Sequence, residues 1–243
     1  MVRASRCLPS VTVQPEAKGG NVASKDRDTR VFRWFLIAEA LLLCAIEACV
    51  VCSIGMLTNV SMYLSVLVAV GFALHHYVLN GKVARGDYAN LIVCGLVTTA
   101  AADLFMTLLP FGWAIIPGFV LFCVVQSIYA VYLRVDTRAL VSRAALIAMS
   151  IAVLACVHML TPINVAGMAY LVFHLCNVVR AWRLCGRGVP LLFCAGLTCF
   201  FLCDASIAVR MLSTGVVHNI AAFLVWVFYV PAQALIALAT ASR

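Results

Sequence analysis

Eight apolar runs, each about as long as a bilayer crossing, leave this chain little freedom of architecture. They lie at 34–54, 60–80, 89–109, 113–133, 142–160, 163–182, 189–210 and 216–239. About 20 apolar residues span the hydrocarbon core as a helix, and a helix satisfies every backbone polar group where no water is available. Of the 243 residues, 65% are hydrophobic and 11% are charged, whereas a soluble domain carries roughly 25% charged residues. Too little polar surface remains to cover a globule in water. The expected fold class is all-α: a polytopic integral membrane protein with eight transmembrane helices.

The connections alternate in character. "GMLTN", "LPFGW", "TPIN" and "STG" are short turns rich in Gly, Pro, Asn, Ser and Thr, residues that favour turns. "NGKVARGDY", "RVDTR" and "RAWRLCGRG" are basic loops. Sixteen of the 17 Lys and Arg residues fall in the first 33 positions, in or beside these loops, or at Arg243; only Arg210 lies on the other side. By the positive-inside rule, both termini are expected in the cytoplasm. The net charge of +8 is then a topology signal. No basic stretch is interleaved with exposed aromatic residues, so no nucleic acid partner is expected.

Residues 1–33 read as a basic, disordered cytoplasmic tail. They are too long and too charged for the n-region of a signal peptide. Residues 34–243 form the membrane domain. Its cysteines are scattered through the apolar runs, and Cys49 and Cys52, though spaced as CxxC, sit in the middle of one and read as small packing residues. No metal and no organic cofactor is implied.

Inside the apolar runs stand four acids: Glu39, Glu47, Asp103 and Asp204. A carboxylate at the bilayer centre costs about 2.5–3.5 kcal/mol on insertion scales, so it usually faces a cavity and has a function. The two aspartates share a context. Gly95 precedes Asp103 by eight residues and Gly196 precedes Asp204 by eight. Counted from the turns that follow them, both stand at nearly the same depth. Each aspartate run is followed by one carrying a Tyr and a Gln: Gln126 and Tyr129 after the first, Tyr229 and Gln233 after the second. This pattern suggests a parallel duplication of four helices about an axis along the membrane normal, which brings both aspartates to one cavity.

Two carboxylates sharing a desolvated cavity do not both ionise readily. One then serves as an acid and the other as a base, the arrangement needed to hydrolyse an acid-labile C–O bond through an oxocarbenium-like state. The same pair also suits a proton relay in a small proton-coupled transporter, and the residues alone leave both readings open. A scaffolding role leaves two costly acids unexplained.

The segments "TTAAADLFM", "GFVLFCVVQSIYAVYL", "GLTCFFLCDAS" and "VFYVPAQALIAL" resemble the signatures of the YhhN-type lysoplasmalogenase family, an eight-helix membrane fold. Asp103 and Tyr129 match the first signature; Gly196, Asp204, Tyr229 and Gln233 match the second. Ala102 replaces a Gly, Gln126 stands where a His often is, Cys203 replaces a Ser and Phe228 a Tyr. Asn59 occupies the place of a frequent Lys. "YLVFHLCNVVRAWR", with Tyr170 at its start, is similar to the family's sixth helix. The resemblance covers most of residues 34 to 241.

This resemblance implies hydrolysis of the vinyl ether of a lysophospholipid substrate, a lysoplasmalogen, to a fatty aldehyde and a glycerophospho-alcohol. Asp103 and Asp204 would be the catalytic residues. Tyr129, Tyr229, Gln233 and Glu47 are the expected substrate-binding or positioning residues. Membrane lipids are the other expected partners. Glu39 reads as a snorkelling or loop-paired acid. His75 and His76 read as interfacial, and His158 and His174 as structural histidines. His218 and Asn219 are placed near the outer end of the last helix, within reach of a head group. Arg180, Arg183 and Arg187 read as positive-inside anchors.

Overall fold

The computed structural model describes residues 20–52, 54–79, 88–109 and 111–241. The chain divides into two units, Met1–Trp34 and Phe35–Arg243. Among the described residues there are eight α-helices: α1 (Gly20–Val51), α2 (Gly55–Leu79), α3 (Tyr88–Asp103), α4 (Ile115–Tyr132), α5 (Thr137–Cys156), α6 (Pro162–Leu184), α7 (Leu191–Leu212) and α8 (Gly215–Ala239). A π-helical turn, Leu104–Leu108, extends α3, and a 3-10 turn, Gly112–Ala114, leads into α4. All eight helices are long and apolar enough to cross a membrane.

Several boundaries differ from the sequence expectation, each for a local reason. Helix α1 begins at Gly20, so residues 20–33 of the segment read as a disordered tail are helical; they contain no proline and begin at the last Gly of that segment. Residues 1–19 lie outside the described residues. "GMLTN" is not a turn but the first turn of α2, where the Thr58 hydroxyl donates to the Ile54 carbonyl at 3.0 Å. Helix α5 starts at 137 rather than 142 because Asp136 caps it, its carboxylate accepting from the Ala139 amide at 2.8 Å. Thr161 caps α6 in the same way, ahead of Pro162 at the first helical position.

Half of the α2 and α8 spans is buried, against 11% of the α5 span. The core is therefore built by α2, α3, α4, α7 and α8, with α5 at the periphery. Between lipid-facing helices the hydrophobic effect gives no drive to associate, so close backbone approach through small residues matters. A Cβ added at Gly196 would lie 2.9 Å from the Ile236 amide nitrogen and 3.0 Å from the Ala232 carbonyl oxygen, so α7 rests directly on the α8 backbone. At Gly95 it would lie 2.3 Å from the Tyr129 ring, so α3 rests on an α4 side chain. The two glycines that precede the aspartates thus both seat a helix against the next one.

Candidate functional site

Asp103 is the last residue of the regular part of α3, at the junction with the π turn. Such turns are rare, and many occur at functional sites. The Thr107 hydroxyl donates to the Asp103 carbonyl at 2.6 Å, giving that carbonyl a partner where the hydrogen-bond ladder changes register. The Asp103 side chain is buried, and its Oδ2 accepts a hydrogen bond from the Tyr229 hydroxyl of α8.

Asp204 lies on α7 and retains 12% exposure of its side chain, so it is the more accessible of the two. Its Oδ2 accepts from the Tyr170 hydroxyl of α6 at 2.8 Å. His174, one helical turn further along α6, places Nδ1 2.8 Å from the same oxygen. Phe200 of α7 joins the partners of the two carboxylates: its ring lies against His174 and against Tyr229, at centroid distances of 5.1 Å and 6.1 Å.

In the sequence, each aspartate run is followed by one that pairs a Tyr with a Gln. The observed hydrogen bonds do not follow the order of the chain. Tyr229, in the helix after Asp204, serves Asp103. Tyr129, in the helix after Asp103, is fully buried and bonds to neither aspartate among the described residues; its ring packs against Phe193 with centroids 5.3 Å apart. Gln233 is also fully buried, and neither its amide nitrogen nor its oxygen has a partner. Glu47 is half-buried on α1 with both carboxylate oxygens unpartnered. Of the four residues expected around the pair, only Tyr229 bonds to it.

Two residues that do touch Asp204 were missed as site residues. Tyr170 entered only as the first residue of a similar segment, and His174 was read as structural. A signal was present: Tyr170, His174 and Asn177 recur at i, i+4 and i+7 along α6, which places all three on one face of an apolar helix. That face continues as a polar network. The Asn177 amide donates to the Gln126 backbone carbonyl at 2.9 Å and to Gln126 Oε1 at 3.0 Å. Arg143 Nη1 donates to Asn177 Oδ1 at 2.7 Å, and its guanidinium carbon lies 4.7 Å from the centroid of the Phe173 ring. Arg143, counted in the sequence among the loop-proximal charges, is in fact buried.

Other expectations are also corrected. Glu39 does not snorkel; it is buried, and its Oε2 accepts from the Ser65 hydroxyl of α2 at 2.6 Å. His76 is not interfacial but buried beside Phe72. His158 is exposed in the turn after α5, with a φ of 56°. Arg180 directs its guanidinium to the Leu133 and Arg134 carbonyls at the end of α4, at 3.4 and 3.3 Å, where a cation complements the helix dipole. Cys49 and Cys52 are both free.

The family model of the YhhN family matches residues 57–240. This range holds both aspartates, Tyr170, His174 and Tyr229. No curated protein matches the chain, and neither does any solved structure.

Proposed function

Since the chain belongs to the YhhN family, we propose that it is a membrane hydrolase that cleaves the vinyl ether bond of lysoplasmalogens, with Asp103 and Asp204 as its acid and base. The observation that supports this reading is that Phe200 of α7 packs against both Tyr229, which holds Asp103, and His174, which meets Asp204, so the partners of the two carboxylates share one ring within the bundle. Each carboxylate is held by a donor from a further helix. A pair that only bridged helices would not need an open member, yet Asp204 remains accessible.

Asp204 Oδ2 accepts from Tyr170 and meets His174 at the same atom, which suits an ionised carboxylate. Asp204 is accordingly assigned the base and Asp103 the acid. In the proposed reaction, Asp103 delivers its proton to the β-carbon of the vinyl ether, leaving an oxocarbenium ion that the Asp204 carboxylate stabilises. Water adds to the α-carbon while Asp204 takes its proton. The hemiacetal then collapses: its hydroxyl loses a proton, the bond from the former vinyl carbon to the glyceryl oxygen breaks, and that oxygen is protonated. One water is consumed, and a fatty aldehyde and a glycerophospho-alcohol leave.

The positive-inside count supports a topology with both termini in the cytoplasm. The test of the activity is direct. Purified protein in detergent micelles, with no gradient, is incubated with a lysoplasmalogen and the free aldehyde is trapped. Aldehyde release at a rate proportional to protein supports the reading. Its absence, together with proton-coupled uptake in sealed vesicles, would favour the transporter.

A further inference from the structure

A cavity of about 570 Å³ opens between the ends of α1 and α7 and the starts of α2 and α8. Its polar lining is Thr58, Asn59, Arg210, His218 and Asn219, and Trp226 also lines it. We infer that this cavity receives the phosphate-bearing head group of a glycerophospholipid, with Arg210 as its charge partner. The inference rests on the reading of the aspartate pair as the site that acts on the lipid.

Three observations converge on it. The first is charge. Arg210 is the single basic residue outside the N-terminal segment, the basic loops and the C-terminus, and its guanidinium has no hydrogen-bond or ion-pair partner among the described residues. A guanidinium binds phosphate through two parallel N–H donors. Arg180, in α6, is by contrast occupied by the carbonyls at the end of α4.

The second is the arrangement of the polar neighbours. His218 Nδ1 lies 3.0 Å from the Arg210 carbonyl oxygen. A carbonyl can only accept, so Nδ1 carries the proton. This ties the end of α7 to the start of α8 and leaves Nε2 to accept from a glyceryl hydroxyl and the Asn219 amide to donate to a phosphate oxygen.

The third is the connection to the aspartates, which runs along two separate routes. Trp226 lines the cavity and packs edge-on against Tyr229, the donor to Asp103. Asn59 also lines it; its amide donates to the Thr107 carbonyl at 3.0 Å, and Thr107 in turn bonds the Asp103 carbonyl. Arg210 follows Asp204 by six residues on α7, about 9 Å of helical rise. The glyceryl phosphate arm of a lysolipid reaches a comparable distance from its ether carbon. A lipid with its ether at the carboxylates would have its phosphate at about the depth of Arg210.

The experiment measures equilibrium binding, so it does not depend on turnover. The ligands are a saturated 1-alkyl lysophosphocholine and the matched 1-alkylglycerol, which lacks the phosphate, each titrated into detergent-purified protein. Wild-type protein should prefer the phosphate-bearing lipid by about ten-fold or more, the usual strength of a hydrogen-bonded charge. R210A should abolish most of that preference and R210K should keep part of it. A222W fills the cavity from its α8 wall while leaving Arg210 in place, and it should lower affinity for the phospholipid in the same way. All variants are checked for unchanged elution and melting temperature. An unchanged preference in folded R210A or A222W would overturn the proposal. So would displacement of the lipid by millimolar inorganic phosphate, which would make this a free-anion site. Failure of the aldehyde assay with binding as expected would defeat the hydrolase reading alone.

Discussion

The Tyr229 hydroxyl of α8 donates to Asp103 Oδ2 of α3, 126 residues earlier in the chain, and not to Asp204 in the helix just before it. The second half of the bundle therefore supplies the donor for the first half's carboxylate. Asp204 draws both of its partners from α6. Each aspartate follows a glycine by eight residues, but that likeness does not extend to their hydrogen bonds. Each carboxylate is positioned by a different set of helices.

Changing either aspartate to asparagine should remove turnover and spare the fold. Asparagine keeps the shape and can still meet the Tyr229 or Tyr170 hydroxyl, but it neither holds nor accepts the transferred proton. D103N and D204N should each lose at least about 100-fold in aldehyde release, the usual contribution of a positioned acid or base. Both should elute as wild type in detergent. Near-wild-type turnover in both would end the acid and base assignment.

The donors to Asp204 should act as a unit. Tyr170 and His174 meet at one oxygen, so Y170F and H174A should each slow turnover by about ten-fold or more. Y170F/H174A should lose less than the product of the two, with a coupling of about 0.5–3 kcal/mol. Strict multiplicativity in kcat would show that the two residues do not share a function at Asp204.

Packing at the two glycines should differ in a way that separates side chain from backbone. G95A puts a methyl group into the Tyr129 ring, and G196A puts one into the α8 backbone at Ile236 and Ala232. Overpacking of this kind costs about 1–3 kcal/mol. G95A should lower the melting temperature and recover when Tyr129 is trimmed in G95A/Y129L. G196A should not recover in G196A/I236A, because the backbone contacts remain. Equal recovery in both would contradict the close seating of α7 on α8.

What the sequence made legible follows from what is costly. A carboxylate stands out in an apolar run because a membrane helix tolerates few of them, so Asp103, Asp204 and all eight spans were readable from residue order alone. Which face of a helix meets which neighbour is not written in one helix, so the sequence did not say which aspartate Tyr229 serves. Tyr129 and Gln233 looked like Tyr229 in sequence but face a packed interior. Histidine gave little warning because His174 has no metal-type partner nearby in sequence; only its spacing from Tyr170 and Asn177 marked the polar face of α6. Glu39 and Arg143 looked interfacial because they lie near helix ends, yet Ser65 and Asn177 from other helices make their burial possible.

Topology supplies an independent check. With eight crossings and a positive-inside count of 16 in 17, residue 243 is expected in the cytoplasm and the turn at 213–215 on the opposite side. Reporters fused at 243 and inserted at that turn should give opposite signals. A luminal or periplasmic signal at 243 would overturn the topology of eight crossings with both termini in the cytoplasm.

Specificity tests the chemistry most sharply. Protonation at carbon needs a double bond, so a site built on two carboxylates should cleave the vinyl ether and leave the saturated alkyl ether of equal length untouched. The alkyl ether fits the same chain and head-group positions, so it should inhibit competitively. A lysolipid ester should also survive, because ester cleavage requires an activated nucleophile and donors for an oxyanion. The nearest hydroxyl in sequence, Ser206, donates instead to the Leu202 carbonyl at 2.7 Å and has no histidine beside it. The assay offers three matched lysolipids and measures aldehyde, alcohol and fatty acid separately. Aldehyde should come from the vinyl ether alone. Fatty acid released from the ester faster than aldehyde from the vinyl ether would make this a lipase-type enzyme and defeat the carboxylate-pair mechanism.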